Sequence, residues 1–200
     1  MEYSTKNEIM TDVRKAYRLL FEYQSRLLAL VKFIGGKYGF DYHGGFPRFS
    51  NNQPRQGSGS LDFWAWDWLN LYYHEFRFNT NQEQISFSVF VLNDDGFYQS
   101  CKEAGMAKNK LNPDEFKQPE QSNSKLIFVV GYHSWIVQFP IADLNWNKVD
   151  FTLAEKGTQT NDKGKLFFKS YPIENFFNQQ EALLQLSDFE KECQKQGIPL

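Results

Sequence analysis

Two arginines in a glycine-rich stretch are the residues of this chain best suited to bind an anion. Arg48 and Arg55 lie within HGGFPRFSNNQPRQGSG, residues 43–59. Glycines let backbone N–H groups approach a ligand, and guanidinium groups bind phosphate or carboxylate with two parallel hydrogen bonds. Aromatic rings in the same stretch are available to stack on a base or ring. We therefore predict a ligand-binding or partner-binding site in this loop, formed by His43, Phe46, Arg48, Phe49 and Arg55.

This loop differs from the established phosphate-binding motifs. It lacks the Gly-Lys-Ser/Thr ending of a P-loop, and it precedes no strand-to-helix turn of the dinucleotide-binding kind. Two interpretations of Arg48 and Arg55 therefore stay open. In the first they bind a small anionic ligand, a nucleic acid or an acidic partner. In the second they form ion pairs with nearby carboxylates such as Asp62.

Three carboxylates close to the loop suggest a different chemistry. Asp62, Asp67 and Glu75 could hold Mg²⁺ against a phosphate, as in a metal-dependent hydrolase or nuclease. Many such enzymes place a lysine two residues after the last carboxylate, and this chain has Arg77 there. Because a guanidinium group does not share its proton, this substitution weakens the hydrolase hypothesis.

Metal-binding and nucleophile signatures do not occur in the sequence. None of the histidines, His43, His74 and His133, pairs with another at a helical or strand interval, and Cys101 and Cys193 are far apart. We expect His74 to be a hydrogen-bonded core residue. There is no Gly-x-Ser-x-Gly nucleophile elbow. The sequence favours a protein with no catalytic residue, no metal and no cofactor.

The composition is that of a globular protein with an excess of aromatic residues. The 200 residues are 41% hydrophobic and 18% aromatic, and the net charge is −2. A chain of this length forms one domain with a full core, which we place at residues 1–200. A mildly acidic chain is not the basic body expected of a protein that lives on nucleic acid. Lysine and arginine nevertheless outnumber acidic residues in the first 60 positions.

Hydrophobic periodicity predicts a helix near each end of the chain. A long N-terminal helix is expected over 7–34, with Leu20 and Leu27 in the core and Gly35-Gly36 as its stop signal. A C-terminal helix is expected over 178–196. Asn178 is its N-cap, since a glutamate follows three residues later.

The region between the helices is predicted to be a loop followed by a sheet. Residues 40–60 have no periodicity and form the Gly/Arg-rich loop, and alternating segments over 70–172 predict an antiparallel sheet. The segments between 154 and 165 have turn composition. The predicted strands are YYHEFRF, QISFSVFVL, KLIFVVGY, SWIVQFPI, KVDFTL and GKLFFKSYPI.

These elements predict an α+β fold in which both helices pack on one face of an antiparallel sheet of five or six strands. The function that fits best is that of a non-catalytic cytoplasmic protein that binds another protein, such as an inhibitor of the immunity-protein or phage counter-defence type. A nucleotide or nucleic-acid binding module that uses the 43–59 loop is one alternative, and the hydrolase is the other. No apolar run is long enough to span a membrane.

Overall fold

The structure is a computed structural model that describes residues 6–48, 71–80, 82–104, 113–133, 151–161 and 164–200. The helices are α1 (Lys6–Tyr38), α2 (Gly96–Glu103) and α3 (Gln179–Lys195). The strands are β1 (Asp41–Pro47), β2 (Tyr73–Asn79), β3 (Ile85–Leu92), β4 (Lys125–Tyr132), β5 (Lys156–Asn161) and β6 (Gly164–Pro172). Short 3-10 turns lie at Pro113–Glu115, Pro119–Gln121 and Ile173–Phe176.

The six strands form one antiparallel sheet in the order β1-β2-β3-β4-β6-β5. Side chains that alternate along each strand point to opposite faces, so the alternating sequence pattern gives a sheet with two distinct faces. Phe76 of β2 is directly opposite Val89 of β3, and Val89 is directly opposite Phe128 of β4. These three apolar residues form a row across the sheet. The predicted α+β class with an antiparallel sheet is confirmed.

Each face of the sheet has its own hydrophobic core. On one face, α1 and α3 supply buried residues such as Val31 and Phe189, which pack with Phe87 and Phe128 of the sheet. On the other face, α2 packs Phe97 and its neighbours against β3, β4 and β6. Both terminal helices thus lie on the same face, as predicted. The aromatic excess fills both cores, since large flat rings cover a pleated surface with little rotamer entropy lost.

Strand β1 corrects the prediction that residues 40–60 form a loop. Asp41–Pro47 pairs with β2, and the register shifts between Tyr42 and Gly44. Gly44 has φ +123°, a conformation that side chains rarely adopt. This irregularity breaks the alternation that would have marked a strand. Gly45 is also required, because a Cβ there would lie 2.4 Å from the carbonyl oxygen of Glu75.

The other edge of the sheet also differs from the prediction. β5 occupies a segment predicted as turn, whereas Phe151–Leu153, predicted as strand, forms a turn. Among the described strands β5 pairs with β6 alone, and the polar sequence KGTQTN is compatible with a strand in that position. The predicted strand SWIVQFPI, 134–141, lies outside the described residues.

Helix α1 continues past its predicted stop. Gly35 and Gly36 lie inside the helix, which ends at Tyr38 before Gly39 with φ +68°. Gly35 is needed for packing, since a Cβ there would lie 2.3 Å from the Phe78 ring. The sequence misleads here because a glycine used for close contact resembles a glycine used as a cap.

Of the two residues of α1 that were predicted to lie in the core, only one does. Leu27 is buried, as expected, but Leu20 is 44% exposed.

Helix α3 follows its prediction closely. Its N-cap, Asn178, accepts a hydrogen bond from the backbone N–H of Glu181 at 2.8 Å, and Gly197 with φ +70° follows its last turn.

Candidate functional site

The residues of the predicted loop site are only partly described. His43 and Phe46 lie in β1, and Arg48 directly follows that strand. Phe49 and Arg55 lie outside the described residues, as do the carboxylates Asp62 and Asp67. The third carboxylate of the hydrolase hypothesis, Glu75, lies in β2 together with Arg77.

Glu75 is fully buried and accepts hydrogen bonds from two arginines and one serine. Arg48 Nε donates to its Oε2 at 2.7 Å, and Arg48 Nη2 donates to the same oxygen. Arg77 Nε donates to its Oε1 at 3.0 Å. Ser88 Oγ, on β3, donates to Oε1 at 3.0 Å. We call Arg48, Glu75, Arg77 and Ser88 the Glu75 cluster.

The sheet geometry explains why these residues meet. Glu75 and Arg77 are two positions apart on β2 and so share a face, and Arg77 is directly opposite Ser88 on β3. Phe46 of β1 is opposite Glu75, and its ring centroid lies 4.6 Å from Arg77 Cζ, a cation–π contact. The backbone N–H of Arg48 donates to the Tyr73 carbonyl at 2.8 Å, and this hydrogen bond holds Arg48 against β2.

This geometry favours a structural role for Arg48. Both oxygens of Glu75 accept hydrogen bonds, and a buried carboxylate requires such compensation. Arg48 is therefore an ion-pair partner of Glu75; Asp62, which the second interpretation named, lies outside the described residues. Two of the residues predicted for one ligand site, Phe46 and Arg48, lie together at this cluster.

His43 and His74 do not join the Glu75 cluster. His43 is exposed on the edge strand β1. His74 faces the other side of the sheet from Glu75, with its ring 4.7 Å from that of Phe76, and it is half-buried rather than a core residue. Within the described ranges, no group of three or more His, Cys, Asp or Glu side chains is placed to hold a metal ion.

An exposed apolar surface, which was not predicted, covers the N-terminal half of α1. We call Lys6–Glu22 the α1 arm. The described core residues of α1 begin at Tyr23, after the arm. The large apolar side chains that the arm exposes are Ile9, Met10, Val13, Tyr17, Leu19, Leu20 and Phe21.

Helix length was the signal that could have revealed this surface. A helix of 33 residues is about 50 Å long at 1.5 Å per residue. Strands of seven or eight residues, such as β2 and β3, extend only about 25 Å. A sheet of this size covers roughly half of such a helix. The apolar periodicity of α1 therefore continues beyond the surface that can bury it.

The family of the chain follows from comparison with known proteins. A family model described as PM0109 matches residues 4–198, nearly the whole chain. The chain belongs to the PM0109 family. No curated protein and no solved structure matches it. The span matched by the PM0109 model includes all of α1.

A pocket lies at the base of the arm in this PM0109 member. Its volume is about 470 Å³, and it separates α1 from the turn before α3. Tyr23 marks its inner end, where the hydroxyl donates to Asn93 Oδ1 and burial raises the pKa of Tyr23 to about 12. Phe177 at its rim is 77% exposed. The pocket is lined by Leu19, Glu22, Tyr23, Arg26, Leu27, Leu30, Ile173, Phe176 and Phe177.

None of the described helices is long and apolar enough to cross a membrane.

Proposed function

We propose that this protein is a non-catalytic binding protein that docks another protein chain on the α1 arm. The observation that carries the proposal is the concentration of large exposed apolar side chains on the arm. Single exposed apolar residues are normal on a protein surface, but a contiguous group of them marks an interaction site. The class that we propose is the one that the sequence led us to expect, an inhibitor of the immunity-protein or phage counter-defence type that acts in the cytoplasm.

The composition of the arm supports docking. Tyr17, Phe21 and Met10 are residue types that binding surfaces use, because they bury much area and adapt to their contacts. Full burial of one large apolar side chain contributes about 1.5–3 kcal/mol, so each residue of the arm that a partner covers strengthens the complex. An amphipathic helix that lays its apolar side against a partner is a recurring mode of recognition.

The Glu75 cluster supports the non-catalytic part of the proposal. A metal-binding carboxylate needs an oxygen that faces the ion, and both oxygens of Glu75 accept hydrogen bonds within the fold. Arg48, which the ligand-loop alternative would direct to an anion, donates two hydrogen bonds to the same carboxylate. Both observations favour the binding protein over the hydrolase and the nucleotide-binding module.

The cytoplasmic assignment draws support from the cysteines. Cys101 and Cys193 are both free and buried, and they lie in the cores on opposite faces of the sheet. Free buried thiols are typical of proteins from reducing compartments.

A matched pair of variants tests the proposal in cells that express the protein. Val13→Glu introduces a charge on the apolar side of the arm, and Arg18→Glu introduces the same side chain on its polar side. Each protein is captured under native conditions, and the chains retained with it are quantified by mass spectrometry, including a distinguishable tagged copy of the same protein. We expect a stoichiometric protein partner with the wild type and Arg18→Glu, and its loss with Val13→Glu. Equal retention by all three proteins would refute docking on the arm.

A further inference from the structure

One row of apolar residues along α1 forms a continuous seam of which only half is covered. They recur in alternating steps of four and three, which is the a/d spacing of a coiled coil. The C-terminal half of the seam packs on the sheet through Leu27 and Ile34, and the half on the arm is exposed. The seam consists of Ile9, Val13, Ala16, Leu20, Tyr23, Leu27, Leu30 and Ile34.

We propose that a second copy of this chain covers the exposed half, with the two arms paired antiparallel about a two-fold axis at the level of Arg18. The inference rests on the proposed function, because it names the occupant of the same docking surface. In this register Ala16 lies beside Leu20 of the second copy, and Val13 lies beside its Tyr23. Leu19 meets Leu19 on one side of the seam, and Tyr17 meets Tyr17 on the other. All of these side chains except Tyr23 are exposed in the single chain.

The charges beside the seam favour the antiparallel orientation. Asp12 and Arg26 both occupy position g of the heptad, immediately next to the seam. In an antiparallel pair, g residues face g residues, so Asp12 of each copy meets Arg26 of the other and the dimer gains two ion pairs. In a parallel pair, g faces e, and Asp12 would meet Tyr17 while Arg26 would meet Val31. Only the antiparallel register therefore matches opposite charges.

The pocket at the base of the arm fits the same register. Ile9 of the second copy is placed opposite Leu27, which lines the pocket together with Leu30 and Phe177. An apolar side chain arriving there covers the exposed Phe177 ring and extends the interface from the arm to the body. The arrangement is isologous, since the arm of each copy reaches the pocket of the other, and it closes at two subunits.

The experiment measures the mass of the intact protein by sedimentation equilibrium over a range of concentrations. We expect twice the chain mass of 23.6 kDa for the wild type. Leu20→Glu should give the monomer mass, because it places a carboxylate in the seam, whereas Arg18→Glu, on the outer side of the helix, should remain a dimer. Circular dichroism checks that each variant is folded.

A charge exchange tests the register itself. Asp12→Arg alone and Arg26→Asp alone should each raise the dimer dissociation constant about tenfold, since attraction becomes repulsion at two symmetric positions. The double variant Asp12→Arg/Arg26→Asp should restore the wild-type constant. Failure of the double variant to recover would overturn the antiparallel register.

The outcomes separate this inference from the proposed function. A wild type that is monomeric at about 100 μM overturns the dimer, since specific complexes of this kind are stable at micromolar concentrations or below. A dimer unaffected by Leu20→Glu overturns it equally. In either case the proposed function survives if Val13→Glu still removes a different captured protein, and fails if it does not.

Discussion

At the scale of single residues, Glu75 shows how a charged side chain becomes part of the fold. Its position in β2 places the carboxylate between two neighbouring strands, where Arg48, Arg77 and Ser88 supply donors. Burial of an unpaired charge is costly, and hydrogen bonds from donors on three chain segments offset that cost. These donors surround the carboxylate of Glu75 only when the chain is folded. The cluster therefore ties the end of β1 to β2 and β3.

Removal of the Glu75 carboxylate should destabilise the protein severely. We expect Glu75→Ala to lower the free energy of unfolding by about 3–5 kcal/mol, because it leaves the buried guanidinium of Arg77 without its carboxylate. Glu83→Ala, at an exposed position before β3, is the matched control and should change stability by less than about 0.5 kcal/mol. Urea denaturation measures both. A loss below about 1 kcal/mol for Glu75→Ala would contradict the structural role assigned to the cluster.

Glu192 on α3 should make stability depend on pH in the acid range. Hydrogen bonds from Lys195 and Lys156 hold the pKa of this carboxyl below its usual value of 4.5. A group whose pKa is lower in the folded state stabilises the fold above the unfolded pKa, and this contribution is lost as pH falls through the folded pKa. The carboxylate of Glu192 thus contributes fully above pH 4.5 and progressively less below it.

The test compares Glu192→Gln with the wild type by urea denaturation at a series of pH values. The variant should be less stable than the wild type near neutral pH, and the difference should shrink as pH falls below 4.5. Glu83→Gln serves as the control at an exposed site. A stability difference that stays constant across the acid range would show that the ion pairs of Glu192 contribute nothing measurable.

At the scale of elements, α1 carries out two tasks along one helix. From Tyr23 onward it packs against the sheet, and before that residue it presents its apolar side to solvent. The apolar periodicity of the helix is the same in both halves. The difference arises from where the sheet ends, so α1 is at once a core element and the arm proposed to bind a second copy.

Two adjacent glycines in α1 should respond to alanine with opposite signs. Gly35→Ala places a Cβ 2.3 Å from Phe78 Cε1, so we expect overpacking to cost about 1–3 kcal/mol. At Gly36 a Cβ meets nothing within 4 Å, and alanine is the better helix former, so Gly36→Ala should stabilise by about 0.5–1 kcal/mol. Thermal or urea unfolding measures both. Equal effects at the two positions would show that Phe78 does not constrain the helix.

At the scale of the whole molecule, the six-stranded sheet separates two cores, and each of the described helices contributes to one core alone. The core beneath α1 and α3 contains Cys193 of α3, and the core beneath α2 contains Cys101 of α2. Because the sheet lies between them, the two thiols cannot form a disulfide, which requires Cα atoms within about 7 Å. Each cysteine thus reports on the integrity of one core.

Thiol labelling should therefore follow unfolding on both faces of the sheet. Burial raises the pKa of the Cys193 thiol, and the thiolate is the reactive form, so the native protein should resist alkylation at this position. Cys101 is equally buried. Mass spectrometry should detect two labels after unfolding in urea without reductant and none after brief exposure of the native protein. Absence of both labels after unfolding would indicate a disulfide and would contradict the arrangement of the two cores.

Local patterns in the sequence were enough to predict the elements of this protein that depend on residues close together in the chain. β2, β3, β4 and β6 are rich in apolar residues because their successive side chains enter the cores on opposite faces of the sheet, and the cap at Asn178 needs only the backbone three residues on. The α+β class follows from these elements. The local pattern is absent from β1, whose register is broken at Gly44, and from β5, whose sequence KGTQTN is polar throughout.

The tertiary structure alone decided the features that depend on distant contacts. Leu20 and Leu27 occupy equivalent positions in the periodicity of α1, yet only Leu27 is buried, because the sheet does not reach Leu20. Arg48 pairs with Glu75, 27 residues away, since antiparallel pairing of β1 and β2 brings them together. Burial and ion pairing depend on which surfaces meet in three dimensions, and the physical reason is that residue type and spacing specify an element but not the extent of the surface that covers it.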